Sequence, residues 1–336
     1  MTRDVLLEVQ DLCKHFPVRT HLARRHVGTV KAVDGVTFDV ARGETVGLVG
    51  ESGSGKTTAG RCILRAIEPT AGKVHLHDDG RRVDVLKLGR TQLRALRRRM
   101  QFIFQDPYAS LNPRMTVMQI IAEPLVINHA ARGKALEARV RELVRQVGLE
   151  ERILNRYPHA FSGGQRQRIG IARALALKPS LIIADEPVSA LDMSMQAQIL
   201  NLLKDLQKQL NLTYLFIAHD LSVIRHFCDR VLVMYAGKLV ETGTTNQLFS
   251  APQHPYTEAL LSAAPRPDPR TDSVRIRLEG EVPDPTQRPT GCPFHPRCRF
   301  AEDRCQTDEP GLEEVSEGRT IACHLASQLE LQGVER

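Results

Sequence analysis

The chain has 336 residues, of which 42% are hydrophobic and 25% charged, a composition typical of globular proteins and long enough for more than one domain. It carries 46 Lys and Arg against 39 Asp and Glu, so its formal net charge is +7. The densest basic run, RALRRR at 94–99, is accompanied by no aromatic stacking platform, and tryptophan is absent. We therefore expect a solvated helix face there and no nucleic-acid partner.

Hydropathy excludes a membrane-spanning protein of the helical kind. No segment approaches the roughly 18 to 20 apolar residues that a transmembrane helix needs, and the first residues lack the apolar run of a signal peptide. We expect a cytosolic chain, which can still sit at a membrane by holding membrane proteins. Its seven cysteines are then not expected to form disulfides.

The first half of the chain begins with a strand, turn and helix pattern. The β-branched runs VTFDV (36–40) and TVGLVG (45–50) predict two strands, and KTTAGRCILRAI (56–67) predicts a helix after them. In ALEARVRELVRQVGL (135–149) apolar residues recur at helical spacing, and Gly148 stands where glycine commonly ends a helix. This second segment indicates a helical insert.

The second half alternates apolar runs with an amphipathic segment. LIIAD (181–185) and TYLFIAHD (213–220) are typical of strands buried on both faces, and AQILNLLKDLQKQL (197–210) lies between them. This alternation predicts a parallel sheet. VLVMYAGKLVETG (231–243) predicts a hairpin that ends the core. Beyond it the chain becomes proline-rich, and we expect a boundary near residue 250.

A phosphate-binding loop follows the second predicted strand. Gly50, Gly55, Lys56 and Thr57 satisfy G-x-x-x-x-G-K-[ST] between a strand and a helix, which is the context this motif requires. Backbone N–H groups of residues 52–57 would surround the β- and γ-phosphates of a nucleotide. Lys56 would reach their oxygens, and the Thr57 hydroxyl would bind Mg²⁺.

Two adjacent carboxylates, Asp185 and Glu186, end the LIIAD strand. Taken alone, they would more often be a strand-end cap and a surface charge. In a chain with this phosphate loop, they predict a Mg²⁺ ligand, direct or through water, and a group that activates water.

A second glycine-rich turn, FSGGQRQR at 161–168, opens another predicted helix. Such a turn presents free N–H groups at the positive end of a helix dipole and is therefore a second anion site. The first loop already suffices for one triphosphate, so we interpret the second as serving another molecule's nucleotide. The alternative is that Ser162 only caps its helix.

These motifs occur in the order found in the ATP-binding subunits of ABC transporters, which the chain resembles up to about residue 250. Gln105 stands in the position of the Q-loop, FSGGQ is similar to the family signature, SALD (189–192) to the D-loop, and His219 to the switch histidine. The resemblance implies an α/β P-loop NTPase of RecA-like type in an ABC-type domain, 1–250. It also implies an N-terminal antiparallel β subdomain and an α-helical insert at about 106–175.

The resemblance further implies a mechanism in which two such domains pack head to tail and each signature closes on the other's γ-phosphate. Glu186 would polarise the water, His219 would orient it and bind the γ-phosphate, and Gln105 would sense Mg²⁺ and γ-phosphate. Phe16 would stack on adenine, or else be a buried strand aromatic. The implied ATP contacts are Phe16, Gly50, Ser52, Gly53, Ser54, Gly55, Lys56, Thr57, Thr58, Ser162, Gly163, Gly164, Gln165 and Asp192, with Thr57, Gln105 and Asp185 on Mg²⁺.

Two further stretches, FQDPYASLNPRMTV (104–117) and HPYTEALLSAAP (254–265), narrow the resemblance to oligopeptide and dipeptide importers, most closely the second of their two paired ATPase subunits. Residues 251–336 would be the C-terminal region of that group. The implied partners are a paralogous ATPase, two transmembrane permease subunits and, indirectly, an external binding protein, at the cytoplasmic face of the membrane.

Two other functions stay open at this point. Nickel, glutathione and other importers share much of the pattern, so the cargo is not determined. A soluble ABC ATPase acting on ribosomes or DNA is disfavoured because the chain has one motif set and no sustained heptads between Gly50 and Ser162.

Four cysteines with the spacing C-x₅-C-x₆-C-x₁₇-C crowd the last part of the chain: Cys292, Cys298, Cys305 and Cys323. This density predicts a metal site rather than ordinary buried thiols. Structural zinc sites usually pair cysteines in C-x₂₋₄-C knuckles, which are missing, whereas looser spacing suits a [4Fe-4S] cluster. The resemblance to peptide importers favours the cluster too, so we place it ahead of Zn²⁺.

Overall fold

The computed structural model describes residues 3–19, 26–78, 80–263, 276–281, 283–284 and 286–334. The last two residues of the motif at 254–265 lie outside the described residues. The strands, in chain order, are β1 (Val5–Arg19), β2 (His26–Ala41), β3 (Thr45–Val49), β4 (Ala71–Asp78), β5 (Arg81–Asp84), β6 (Met100–Ile103), β7 (Leu181–Asp185), β8 (Thr213–Ile217), β9 (Arg230–Tyr235), β10 (Lys238–Thr244), β11 (Glu313–Ser316) and β12 (Arg319–Ile321).

The α-helices lie between and after these strands. They are α1 (Lys56–Ile63), α2 (Arg90–Leu96), α3 (Pro107–Ser110), α4 (Val117–Ile127), α5 (Gly133–Gln146), α6 (Gly163–Leu175), α7 (Met193–Leu210), α8 (Leu221–Phe227), α9 (Thr245–Ser250), α10 (Pro255–Ala263) and α11 (Asp303–Thr307). Short 3₁₀ turns occur at Val85–Lys87, Glu151–Ile153, Pro158–Ala160 and His295–Arg297. No helix of the described segments is long and apolar enough to cross a membrane.

The larger sheet has eight strands in the described residues, in the order β11-β12-β10-β9-β3-β8-β7-β6. Its centre is parallel: β3 pairs with β8 and β9, β7 with β8, and β6 with β7. Every residue of β3, β7 and β8 is buried, which explains their continuous apolar sequences. The predicted parallel sheet and the hairpin of β9 and β10 are confirmed. Because parallel strands end at one edge, the residues after β3, β7 and β8 lie near one another.

A smaller antiparallel sheet, in the order β2-β1-β4-β5, packs over α1. Its apolar side chains, including Leu7 and Val9, share one core with Ile63 of α1 and Leu48 of the large sheet. Helix α1 thus lies between two sheets, and it must fit closely: a Cβ on Gly60 would come within 3.1 Å of side-chain atoms of the large sheet.

Two predicted helices end earlier than the sequence suggested. The helix expected at 56–67 ends at Ile63, because Arg65 is in the left-handed region with φ 52° and its backbone N–H bonds back to Cys62. The basic run at 94–99 is largely exposed, as expected, but only its first three residues are helical. Helix α2 ends at Leu96, and Arg97 donates to the carbonyls of residues 64 and 65.

Helices α3 to α6 form the helical part between β6 and β7. Buried residues of α4, α5 and α6, such as Ile120, Leu143 and Ile169, pack against one another. Helix α5 ends just before Gly148, whose φ of +69° is the left-handed turn that glycine favours, so the predicted stop is confirmed.

The C-terminal segment returns to the large sheet, which therefore continues past the predicted hairpin. Strand β12 pairs with β10 through Glu241 and Ile321. The fully buried Glu241 carboxylate is 2.7 Å from the buried Arg319 guanidinium and also accepts backbone N–H groups of Gln253 and His254 at 3.0 Å. Leaving one partner of such a pair uncompensated costs about 3 to 5 kcal/mol, so this contact fixes the segment on the core.

Candidate functional site

The loop after β3 is shaped by three glycines whose backbone conformation disfavours a side chain. Gly50, Gly53 and Gly55 all have positive φ, at 151°, 81° and 105°. A Cβ on Gly50 would lie 2.1 Å from the carbonyl oxygen of Met234, and one on Gly55 would lie 2.0 Å from that of Ala32. The loop therefore passes directly over the backbone of neighbouring strands, which only glycine permits. It leads into α1, whose first backbone N–H groups have no partner within the helix and face the loop.

Lys56 lies inside this loop. Its Nζ donates to the carbonyl oxygens of Gly50 and Glu51 at 2.7 and 2.8 Å, and to the Ser54 hydroxyl at 3.3 Å. Burial lowers the pKa of Lys56, although nearby carboxylates, first that of Glu186, oppose the shift. A buried cation at the start of a helix, in a loop that can present backbone N–H groups, is an arrangement suited to an anionic group such as phosphate.

The predicted Mg²⁺ ligands from β7 and α1 are in direct contact. The Thr57 hydroxyl donates to the Asp185 carboxylate at 2.8 Å. Burial raises the pKa of Asp185, and the bond from Thr57 opposes this only in part. The hydroxyl and carboxylate oxygens are the ligand types that Mg²⁺ prefers. The third predicted ligand, Gln105, hydrogen-bonds Glu186 instead.

Glu186 brings the three predicted catalytic residues together. Its Oε2 accepts from Gln105 Nε2 at 2.7 Å and lies 3.2 Å from His219 Nδ1. Glu186 has a φ of +46°, unusual for a residue with a side chain, and its backbone N–H donates to Ile217 at the end of β8. This unusual backbone conformation places the Glu186 carboxylate at the ends of β7 and β8. Strained backbone conformations of this kind occur often at functional sites.

The turn at 162–165 caps α6. Ser162 Oγ accepts from Gln165 N at 3.4 Å, and Gln165 Oε1 accepts from Ser162 N at 3.1 Å, so the capping interpretation holds. The glycines also serve packing, because a Cβ on Gly164 would lie 2.3 Å from the methyl of Met195. Asp192 caps α7 by accepting from Met195 N at 2.9 Å. Within the described residues, no hydrogen bond or ion pair joins this turn to residues 50–58.

Phe16 is partly exposed, with 37% of its surface accessible, so the alternative of a buried strand aromatic is wrong. It lies on β1 opposite Val30, and the Lys14 ammonium is 4.7 Å from its ring centroid. The exposed part of the ring is accessible to a planar group.

The four clustered cysteines face one cavity of about 20 Å³, which His254 and Phe294 also line. Among the described residues, no three of their sulfurs lie mutually within 4.8 Å. The chain folds back on itself there, since Cys292 N donates to the carbonyl oxygen of Cys305 at 2.9 Å. Burial raises the pKa of Cys292 and of Cys298 to about 11.

Sequence reasoning missed two contacts between the C-terminal segment and the phosphate loop. Arg297 holds the Glu51 carboxylate in a bidentate pair at 2.7 and 3.1 Å, and the Tyr256 hydroxyl accepts from Glu51 N at 2.7 Å. These partners are more than 200 positions apart in the chain. The sequence does show an acidic residue, Glu51, inside the phosphate motif and an arginine, Arg297, inside the cysteine motif. Local periodicity gives no indication that these two residues are in contact.

Comparison with known proteins matches the chain in two parts, an ATP-binding part and a C-terminal part. The model of the ABC transporter family matches residues 33–189, and that of the oligopeptide/dipeptide transporter C-terminal region matches residues 240–305. A Sinorhizobium fredii protein named "Probable peptide ABC transporter ATP-binding protein" is 51% identical over 322 residues, covering 96% of this chain and 90% of that protein. The oligopeptide transport ATP-binding protein AppF of Bacillus subtilis is 50% identical, covering 97% of this chain and 98% of that protein.

A solved structure with the same fold is an ATP-binding cassette in a dimeric, post-hydrolysis state bound to ADP and Pi. It is 30% identical, with a TM-score of 0.62, and the match covers 71% of this chain and 99% of that chain. The P-loop fold of mixed sheets and helices expected from the sequence is thereby confirmed.

Proposed function

We propose that this chain, which belongs to the family of ABC transporter ATP-binding proteins and is an ATPase, energises the import of peptides by a membrane complex. The observation that carries the catalytic part is the contact of Glu186 with both Gln105 and His219, beside the Thr57 and Asp185 pair. The cargo is supported by the match of residues 240–305 to the oligopeptide/dipeptide transporter region. That match favours peptides over nickel or glutathione, and over a ribosome or DNA partner.

ATP would be held by the phosphate loop. The N–H groups of residues 52–57 and the Lys56 ammonium would bind the phosphates, and adenine would stack on the exposed face of Phe16. Thr57 and Asp185 fit Mg²⁺, which would neutralise phosphate charge when bound. Glu186 would accept a proton from the attacking water. Its bonds to Gln105 and His219 hold the carboxylate in place, and His219, with 57% of its side chain accessible, would contact the γ-phosphate.

We propose that the second anion site acts on a partner's nucleotide. Residues 162–165 and Asp192 lie together at the starts of α6 and α7, and none of them is bonded to the phosphate loop of this chain within the described residues. The related cassette in a dimeric state supports this pairing. The partner would be a paralogous ATPase. Two transmembrane permease subunits and, indirectly, an external binding protein would complete the importer at the cytoplasmic face of the membrane.

The four cysteines would hold a [4Fe-4S] cluster. Zinc bound by four thiolates places the sulfurs about 3.8 Å apart, from a Zn–S distance of about 2.3 Å. No three of the described sulfurs lie mutually within 4.8 Å, which is wider than the sulfur spacing of a four-thiolate zinc site. The ATPase residues have no use for electrons, so the cluster would be structural or sensitive to oxidation.

Replacing Glu186 by Gln removes the group that takes the proton and leaves the side-chain shape. We expect ATP binding to persist while turnover by the assembled transporter falls about 10² to 10⁴-fold, since this is the typical contribution of a positioned base. ATPase assays should use complexes in which the partner's equivalent glutamate is also replaced. Glu137→Gln, on the exposed side of α5, is the matched control. Normal turnover by Glu186→Gln would refute its assigned role.

Replacing Ser162 by Arg blocks the second anion site without touching the phosphate loop. We expect nucleotide affinity of the isolated chain to stay within about twofold, while ATPase activity of the complex is lost at the shared site. The control is Thr244→Arg, because Thr244 forms the same capping box with Gln247 and its loss also costs about 1 kcal/mol. Equal loss of binding and activity in Ser162→Arg would instead indicate a site that acts within one chain.

Purification without oxygen should yield a brown protein that absorbs at about 400 nm and carries roughly four irons per chain. Cys298→Ser should lose colour and iron, whereas Cys13→Ser, away from the cysteine cavity, should retain both. A colourless protein with one zinc would disprove the cluster and keep the metal site, and a chain without any metal would disprove both.

A further inference from the structure

The second residue of the phosphate motif, Glu51, is held by the C-terminal segment through both its backbone and its side chain. Its N–H donates to the hydroxyl of Tyr256, which is fully buried. Its carboxylate receives two parallel bonds from Arg297, whose side chain is only 7% exposed. A bidentate pair of this kind fixes direction as well as distance. The position of the phosphate loop is therefore tied to residues outside the ATPase motifs.

Arg297 is part of the cysteine motif. It lies in the 3₁₀ turn His295–Arg297, directly before Cys298, and the backbone N–H of that cysteine donates to His295. The conformation of the turn between the first two clustered cysteines thus determines where the guanidinium points.

An aromatic cluster joins the same turn to Tyr256. The Phe294 ring lies 5.4 Å from Tyr256 and 5.2 Å from Tyr235, and the two tyrosines are 4.6 Å apart. All three side chains are essentially buried, so they transmit a displacement of the turn rather than absorb it.

Glu51 is also bonded to Lys56, the lysine of the phosphate motif. Lys56 Nζ donates to the Glu51 carbonyl oxygen at 2.8 Å. One residue therefore stands between the lysine that would bind phosphate and the arginine of the cysteine turn.

We propose that Arg297 and Tyr256 are positioning residues that hold the phosphate loop against the cysteine turn, residues 292–298; we call this pair of contacts the strap. A well-ordered conformation of the turn then strengthens nucleotide binding by the loop. The inference rests on the proposed function only in taking a nucleotide as the ligand of the loop. Coupling between sites is reciprocal. If an ordered turn strengthens nucleotide binding, then bound nucleotide protects the cysteines of the turn by the same factor.

The first test is titration of the full chain with a fluorescent ATP analogue in the presence of Mg²⁺. Arg297→Ala is expected to weaken binding about 5- to 150-fold, the range typical of coupling between sites. Arg297→Lys keeps the charge but loses the two-pronged geometry, and should fall in between. In a double-mutant cycle, adding Glu51→Gln to Arg297→Ala should cause little further loss. Arg304→Ala is the matched control, because Arg304 directly precedes Cys305 but is 65% exposed and pairs with Asp308 at 3.8 Å.

The second test measures how fast a thiol reagent modifies Cys292 and Cys298, located by peptide mass spectrometry, with and without the Mg²⁺-bound analogue. Release of any metal bound by these cysteines is followed in the same samples. Nucleotide should slow modification in the native chain and in Arg304→Ala, and should slow it less in Arg297→Ala, where the Tyr256 contact with Glu51 remains. If Arg297→Ala does not fold, Arg297→Lys and Glu51→Gln carry the comparison.

Unchanged affinity in Arg297→Ala, or undiminished cysteine protection in it, would overturn the strap while leaving the ATPase assignment intact. A native chain that binds no nucleotide would overturn the proposed function and the strap together.

Discussion

The structure depends on one constraint: the loop between β3 and α1 has no room for a side chain at either of its outer glycines. Gly50 faces the carbonyl oxygen of Met234 in β9, and Gly55 faces that of Ala32 in β2, each at a distance that excludes a Cβ. The loop can adopt this conformation only when both sheets are folded, because it packs against one strand from each of them. The antiparallel sheet, the parallel sheet and α1 are therefore required together before Lys56 and Thr57 can be presented to a phosphate.

Features set by neighbouring residues were predictable, and those set by distant partners were not. The phosphate loop, Asp185 and Glu186 follow strands whose apolar sequence requires burial, so their place at the sheet edge followed from the sequence. The end of α1 did not, because it depends on the left-handed Arg65, which bonds to Glu68 and to the carbonyl oxygen of Leu88. The Glu51 contact with Arg297 crosses 246 positions and leaves no periodic signal.

Several residues have a structural and a proposed chemical role at once. Ser162 caps α6, Gly164 makes room for Met195, and Asp192 caps α7, so the turn at 162–165 and the loop before α7 form one rigid corner. Capping and packing require these residue types even if no ligand binds. Capping therefore does not distinguish a helix cap from a site for a partner's nucleotide. The choice rests on the separation of this corner from the chain's own phosphate loop.

The central claim is that the two glycine-rich turns of one chain serve two different nucleotides. It is tested most directly by determining the structure of the assembled transporter trapped with ATP and Mg²⁺, using a complex that binds ATP without hydrolysing it. We predict that the γ-phosphate held by residues 50–57 of this chain is contacted by a signature turn of the partner, while Ser162 contacts the partner's nucleotide. A γ-phosphate contacted by Ser162 of the same chain, or by no signature turn at all, would contradict the account.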